Sequence, residues 1–124
     1  MKTPKVLLVL EEPQELKSYG IYLRDKGYET LRYTSAGEGL NSIERDPVSV
    51  VIVGQESPSF QGREVLEFSR RSHPEVPVLA VARVLDIHNY LEVMELGATD
   101  YLERPDPQDL AWVIGAQILK SQSS

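Results

Sequence analysis

Short apolar runs alternate five times with longer segments of helical period along this chain. The runs at 6–10, 48–53 and 78–82 consist almost entirely of Val, Leu, Ile and Ala, as expected of strands that are covered on both faces. Such alternation is typical of parallel strands joined by crossover helices. It predicts an α/β fold, a three-layer doubly wound (βα)5 architecture whose five-stranded parallel sheet has the strand order 2-1-3-4-5.

Glycine, proline and capping residues set the predicted element boundaries. The further strands are expected at 28–33 and 99–102, and the helices at 13–26, 36–45, 86–96 and 107–120, with a third helix after Gly62. Helical spacing is carried by Leu16, Tyr19, Ile21 and Leu23 in the first helix and by Ile87, Tyr90, Leu91 and Met94 in the fourth. In the last helix, Leu110, Val113, Ile114 and Ile118 form the predicted core stripe, and Trp112 and Leu119 point outward.

Length and charge favour one globular domain. The 124 residues carry a formal charge of −6 with no long single-sign run, and there is no cysteine. We expect a domain at 1–120 followed by a flexible tail at 121–124, with no nucleic-acid or membrane binding. The apolar run after Met1 is too short for a signal peptide or a membrane span, which favours a cytoplasmic protein.

Several motifs along nearly the whole chain resemble the receiver domains of bacterial two-component response regulators. The most specific is the string Gly97-Ala98-Thr99-Asp100-Tyr101-Leu102-Glu103-Arg104-Pro105. The others are Lys5 to Val9 before an acidic pair, Gly27-Tyr28, Pro58 with Gly62, and Pro77-Val78-Leu79. The resemblance implies a flavodoxin-like, chemotaxis-receiver-like fold and a role in phosphorelay signal transduction.

The resemblance also implies a phosphate-handling site at the carboxyl ends of the strands. Active relatives hold Mg²⁺ with two acids after strand one and an aspartate after strand three, which accepts the phosphoryl group. A hydroxyl after strand four and a lysine after strand five bind the phosphoryl oxygens. These positions fall here on Leu10 with Glu11, and on Gly54, Ala82 and Arg104. A glycine cannot be phosphorylated, so we expect a degenerate pseudo-receiver with no catalytic residue, no cofactor and no Mg²⁺.

The remaining charges at this edge have two interpretations. Glu11 and Glu12 could be solvated loop acids, and Arg104 a surface cation. Alternatively, Glu11 pairs with Arg104 as a fixed ion pair, because Arg104 and Arg83 both converge on that end of the sheet and a guanidinium fits a carboxylate well. Gly54 itself could also serve as a turn residue with a positive φ.

Three aromatic residues are candidates for partner binding. The resemblance identifies Tyr101 as the aromatic switch position, and the small Ala82 would let it rest inward permanently, although it could also be only structural. An outward Trp112 is a candidate interface anchor, or it packs over Pro105 to Pro107. Together with Tyr90, these residues predict a protein partner or a homodimer at the face formed by helix four, strand five and helix five.

Two functions remain from the sequence. The first is a phosphorylation-independent protein–protein interaction module, which is not an enzyme. The second is a regulated receiver that uses an unconventional acceptor such as Glu56 or Ser57, or binds a noncovalent ligand in the vacated pocket. An enzyme has little support, because no glycine-rich phosphate loop follows the first strand and His73 and His88 are far apart in sequence.

Overall fold

The computed structural model describes residues 3–54 and 62–122. Its strands are β1 (Lys5–Val9), β2 (Glu29–Tyr33), β3 (Val50–Gly54), β4 (Val78–Ala82) and β5 (Asp100–Glu103). Its helices are α1 (Pro13–Asp25), α2 (Ala36–Arg45), α3 (Gly62–Ser72), α4 (Ile87–Glu95) and α5 (Pro107–Gln122). Strands and helices alternate strictly, as the hydrophobic pattern predicts.

The five strands form one parallel sheet in the order β2-β1-β3-β4-β5. This order confirms the predicted doubly wound fold. The chain starts in the middle, moves outward to β2, then crosses back over β1 to β3 and on to the opposite edge. The reversal leaves the ends of β1 and β3 side by side, where such sheets place their sites.

Alternating side chains of each strand enter two separate cores. On β1, Leu7 and Val9 join one core, which is completed by residues of α2, α3 and α4. Val6 and Leu8 enter the other core, which is completed by residues of α1 and α5. The central strands are therefore buried on both faces, which explains their continuous apolar sequence.

Several predicted details differ from the structure. Ile87 and Leu91 of α4 are exposed, and so is Ile21 of α1, although all three were assigned to helical stripes. Helix α4 buries little because it lies beside β5, the last strand of the sheet. Val93 is its only fully buried residue. Helix α5 runs to Gln122, two residues into the predicted tail, and 123–124 lie outside the described residues.

Local signals account for several helix ends. The Glu12 carboxylate caps α1, the Ser35 hydroxyl caps α2 and the Asp86 carboxylate caps α4, each accepting a backbone N–H of the first turn. Gly97 follows α4 with a φ of 107°, which favours glycine. Across the described ranges, no helix has the apolar length that a transmembrane segment requires.

Candidate functional site

The carboxyl edge of the sheet brings together the four positions predicted from the resemblance. Leu10 directly follows β1, and Gly54 ends β3 in register with Val81 of β4. Ala82 ends β4, and the Arg104 N–H donates a 2.7 Å hydrogen bond to the Ala82 carbonyl. The structure therefore places Leu10, Gly54, Ala82 and Arg104 along one edge, as expected from parallel strands.

Leu10 packs against the predicted phosphoacceptor position. A Cβ atom added to Gly54 would lie 3.4 Å from the Leu10 Cδ2 atom and 3.5 Å from its Cα atom. Leu10 is fully buried, and Ala82 is nearly so. Gly54 is not among the glycines with a positive φ, so the interpretation of Gly54 as a left-handed turn residue is wrong. The predicted phosphoacceptor position itself offers no nucleophile, because Gly54 has no side chain.

Arg83 forms the charged contacts at this edge. Its Nε atom donates to Glu15 at 3.2 Å, and its terminal nitrogen donates to Glu12 at 3.3 Å. The loop after β4 is thereby connected to the first turn of α1. All three side chains are about one third to one half exposed, so each contact is worth well under about 1 kcal/mol. Their main effect is to place a cation beside the acidic loop.

The predicted ion pair between Glu11 and Arg104 is wrong. Among the described residues, the acidic partners of the arginines at this edge are Glu12 and Glu15, and both bind Arg83. The Arg104 side chain is exposed, and its backbone adopts a φ of 39°. A left-handed backbone is unusual for a residue with a side chain. The hydrogen bond from the Tyr19 hydroxyl to the Pro105 carbonyl, at 2.6 Å, holds the connection that follows.

Tyr101 is buried, in agreement with the inward position expected for it. The side chain is 8% exposed, and its ring packs edge-on against Tyr90 with 5.7 Å between the centroids. Tyr90 covers it from α4 and remains partly exposed. Such perpendicular aromatic pairs add to the stabilisation from burial. The structure thus brings together two of the three predicted partner-binding residues.

The Tyr101 hydroxyl is buried without a hydrogen-bond partner among the described residues. Burial therefore raises its pKa above the ordinary 10.0, because the phenolate would lose its hydration. The backbone of Asp86 approaches and lowers the pKa in part, without reaching hydrogen-bond geometry, and the Asp86 and Glu103 carboxylates raise it further. The hydroxyl is neutral at physiological pH.

Trp112 lies apart from the two tyrosines. It is 76% exposed, so it does not pack over the Pro105 to Pro107 connection. It lines a groove with Tyr22 of α1, with Lys26 and Tyr28 from the segment after α1, and with Gln108 and Ala111 of α5. The groove opens on the α1 side of α5, whereas Tyr90 and Tyr101 belong to α4 and β5. The structure therefore brings Tyr90 and Tyr101 into contact, whereas Trp112 lies at a separate groove between α1 and α5.

Leu10 and Gly54 do not fit the Mg²⁺ site that the resemblance implies for active relatives. Hard cations require several oxygen ligands, yet Leu10 and Gly54 supply none from their side chains. Within residues 3–54 and 62–122, no group of three or more His, Asp or Glu side chains is arranged to hold a metal ion. The alternative acceptors Glu56 and Ser57, and the motif residue Pro58, lie outside the described residues.

Three contacts at or near the site were missed by sequence reasoning. These are the two ion pairs of Arg83, the edge-to-face contact between Tyr90 and Tyr101, and the Tyr19–Pro105 hydrogen bond. Arg83 carried a usable signal, because a charged residue directly after a buried strand must lie at the edge of the sheet. Tyr19 and Pro105 are 86 residues apart, and no local pattern links them.

A model of the response regulator receiver domain matches residues 6–114. The transcriptional regulatory protein KdpE of Mycobacterium tuberculosis is 28% identical over 104 residues, which cover 84% of this chain and 46% of KdpE. The response regulator protein FleR of Pseudomonas aeruginosa is 31% identical over 101 residues, covering 82% of this chain and 21% of FleR. The chain thus spans less than half the length of either relative.

Solved structures show the same architecture. A CheY-like response regulator receiver domain protein from Methanospirillum hungatei JF-1 superimposes with a TM-score of 0.90 at 25% identity, covering 98% of both chains. A receiver domain protein from Clostridium thermocellum gives a TM-score of 0.85 at 28% identity, covering 96% of this chain and 97% of that one. Receiver domains are signalling modules and generally not enzymes. This chain belongs to the response regulator receiver domain family of two-component signalling.

Proposed function

We propose that this chain is a pseudo-receiver, a receiver domain that acts through protein–protein interaction without being phosphorylated. The observation that carries the proposal is the apolar contact at the end of β3. Gly54 supplies no nucleophile, and fully buried Leu10 lies 3.4 Å from the position that a Cβ atom would take there. Phosphoryl transfer requires both a nucleophile and charge neutralisation of the phosphoryl oxygens. Neither is supplied by this pair of residues.

The charges around the site support a fixed state. In this structure Arg83 serves as the cation for Glu12 and Glu15, at 3.3 and 3.2 Å. A guanidinium is always protonated and is covalently part of the chain, so this positive charge does not depend on a metal concentration. A switch needs two conformational states whose populations a ligand can change. The guanidinium of Arg83 cannot dissociate from the protein, so it favours a single state.

The position of Tyr101 also supports a single fixed state. The tyrosine is buried against Tyr90, and the hydroxyl that active relatives carry after strand four is absent in Ala82. Without that hydroxyl, phosphate has no direct means of moving the aromatic ring. We infer that Tyr101 stays inward and that the surface around it is constitutively available.

An exposed apolar surface next to Tyr101 is the candidate for partner binding. It consists of the loop after β4 and the outer side of α4, and its exposed members are Val84, Leu85, Ile87, Tyr90 and Leu91. Contiguous apolar residues at a protein surface commonly mark interaction sites. We name this the α4 patch and propose that it binds a protein partner.

Intact mass spectrometry tests independence from phosphorylation. The chain is incubated with acetyl phosphate and Mg²⁺, and we expect no stable gain of one phosphoryl group. Such a gain would overturn the proposal, and peptide mapping would then show whether Glu56 or Ser57 carries it, as the alternative of a regulated receiver requires. The positive control is a variant with Leu10→Asp, Gly54→Asp, Ala82→Thr and Arg104→Lys, which we expect to be modified. Gly54→Asp alone should stay unmodified, since Leu10 still denies it a metal.

Quantitative affinity capture from cells that express the chain tests the α4 patch. Leu91→Asp places a charge in the middle of the patch without touching the core, because Leu91 is exposed. We expect it to lose the proteins that the wild type retains, with and without added phosphodonor. The matched control is Ser18→Asp, which adds the same charge to the exposed side of α1. Equal capture by Leu91→Asp and Ser18→Asp would exclude the patch.

A further inference from the structure

The outer side of α5 carries an apolar stripe that nothing in the described chain covers. Trp112 is 76% exposed and Leu119 is 68% exposed. Ala116, which is also exposed, lies between them. Residues at i, i+4 and i+7 share one side of a helix, so these three form a continuous row, which we name the α5 stripe. A large aromatic residue in such a position is enriched at protein interfaces.

We propose that a second copy of this chain binds the α5 stripe through its own α5, in antiparallel orientation. A two-fold axis between Gly115 and Ala116 would place Trp112 opposite the partner's Leu119, and Leu119 opposite the partner's Trp112. The small side chain of Ala116 then falls next to the crossing point, where two helices need to approach each other most closely. The stripe is thus complementary to itself, which a symmetric dimer requires.

The charges of α5 fit the same arrangement. Asp109 lies near the beginning of the helix and Lys120 near its end, and at 100° per residue both lie on the same flank of the stripe. In the antiparallel pair, the partner's Lys120 comes within about two residues, or ~3 Å of helix rise, of the level of Asp109. Opposite charges therefore meet at both ends of the antiparallel pair.

The groove beside Trp112 offers room for the opposing apolar side chain. Its volume is about 340 Å³, and its walls come from Tyr22 and Lys26 on one side and Ala111 and Trp112 on the other. The Lys26 ammonium lies 5.3 Å from the centre of the Tyr22 ring, a distance at which cation–π attraction holds a side chain in place. We expect the partner's Leu119 to lie against Trp112 at the mouth of this groove.

This association does not depend on the proposed loss of phosphorylation, and it uses a different surface from the α4 patch. Sedimentation velocity over a dilution series measures it directly, and we expect a concentration-dependent dimer. Trp112→Ala removes an exposed side chain on each copy and should raise the dissociation constant at least about thirtyfold. Leu91→Ala on the α4 patch is the matched control and should leave it unchanged. A wild-type chain that stays monomeric throughout, or a Leu91→Ala effect equal to that of Trp112→Ala, would overturn the proposal.

Disulfide trapping tests the antiparallel register. The chain has no cysteine, so Ala116→Cys introduces one thiol next to the proposed axis. Because the two Cα atoms must come within about 7 Å for a disulfide, we expect rapid covalent dimerisation upon oxidation. Leu91→Cys, whose position is also exposed, should cross-link only slowly. Similar rates for the two variants would reject the axis at Ala116, whatever the outcome of the phosphodonor assay.

Discussion

Leu10 and Ala82 occupy positions at the carboxyl edge where a charged or polar side chain is expected from the family, and both are buried. An ionised carboxylate at the Leu10 position would need cations or hydrogen-bond donors to compensate its desolvation. The leucine needs none and packs against Gly54. At the scale of single residues, Leu10 and Ala82 therefore make ordinary hydrophobic contacts at this edge, and Arg83 binds two carboxylates nearby.

Replacing Tyr101 with Phe should not destabilise the protein at neutral pH. The hydroxyl is buried without a partner in the described part of the chain, and removing an unsatisfied polar group is neutral or stabilising by up to about 1 kcal/mol. Urea unfolding of wild type and Tyr101→Phe measures the difference. A loss of more than about 1 kcal/mol would indicate that the hydroxyl makes a stabilising hydrogen bond.

The same variant should change the alkaline limb of the stability profile. The folded-state pKa of Tyr101 lies above the ordinary 10.0, so the tyrosine loses its proton more readily in the unfolded chain. The ionisation of Tyr101 therefore does not affect the free energy of unfolding below pH 10.0. It lowers that free energy as the pH rises beyond this value. Tyr101→Phe should therefore lose less stability than the wild type above that pH. Unfolding curves on both sides of it provide the test, and parallel profiles would contradict the prediction.

Replacing Arg83 with Gln removes the connection between the loop after β4 and α1. We expect a loss of about 1 kcal/mol or less, because both ion pairs are partly exposed. The loss should shrink in high salt, where exposed charges are screened. Thermal unfolding at low and high ionic strength measures both effects. Arg71→Gln is the control, since Arg71 is exposed and forms no ion pair among the described residues. An equal, salt-independent effect of both variants would argue against a role for the Arg83 pairs.

Helix α2 shows why an element can contain residues that disfavour it. Gly37 and Gly39 both weaken helix formation in isolation, yet their surroundings differ. A Cβ atom on Gly39 would lie 2.7 Å from the Val9 Cγ2 atom of β1, whereas one on Gly37 would meet nothing closer than the Ser35 hydroxyl at 3.7 Å. Gly39 lets the helix approach the sheet, and Gly37 has no such packing role. Sequence alone could not distinguish these two glycines.

Alanine at the two positions should have opposite effects. Gly37→Ala is expected to stabilise the protein by up to about 1 kcal/mol through helix propensity. Gly39→Ala is expected to destabilise it by about 1–3 kcal/mol, because the buried Val9 must move. Chemical denaturation of both variants provides the measurement, and each serves as the control for the other. Stabilisation by both would show that α2 can shift away from β1 at little cost.

Mg²⁺ should have no specific effect on the stability of the whole molecule. A ligand that binds only the folded state raises the free energy of unfolding by RT ln(1 + [L]/Kd), which is about 1.4 kcal/mol at ten times its Kd. That amount would raise the Tm of a domain of this size by several degrees. We expect thermal unfolding in MgCl₂ to match that in NaCl of equal ionic strength. The variant with Leu10→Asp and Gly54→Asp should regain a Mg²⁺-dependent increase, and an increase in the wild type would contradict the prediction.

The sequence by itself determined the fold, because the alternation of buried strands and amphipathic helices has few compact solutions. It also located Leu10, Gly54, Ala82 and Arg104 at one edge, since the strand ends of a parallel sheet must meet there. Only the tertiary structure decided which charges pair. Arg83 rather than Arg104 reaches the acids, because side-chain direction depends on backbone angles such as the positive φ of Arg104. The exposed side of α4 was likewise decided by packing, since a helix beside the last strand of a sheet buries less than its apolar pattern predicts, whereas helical spacing alone predicted the exposed side of α5.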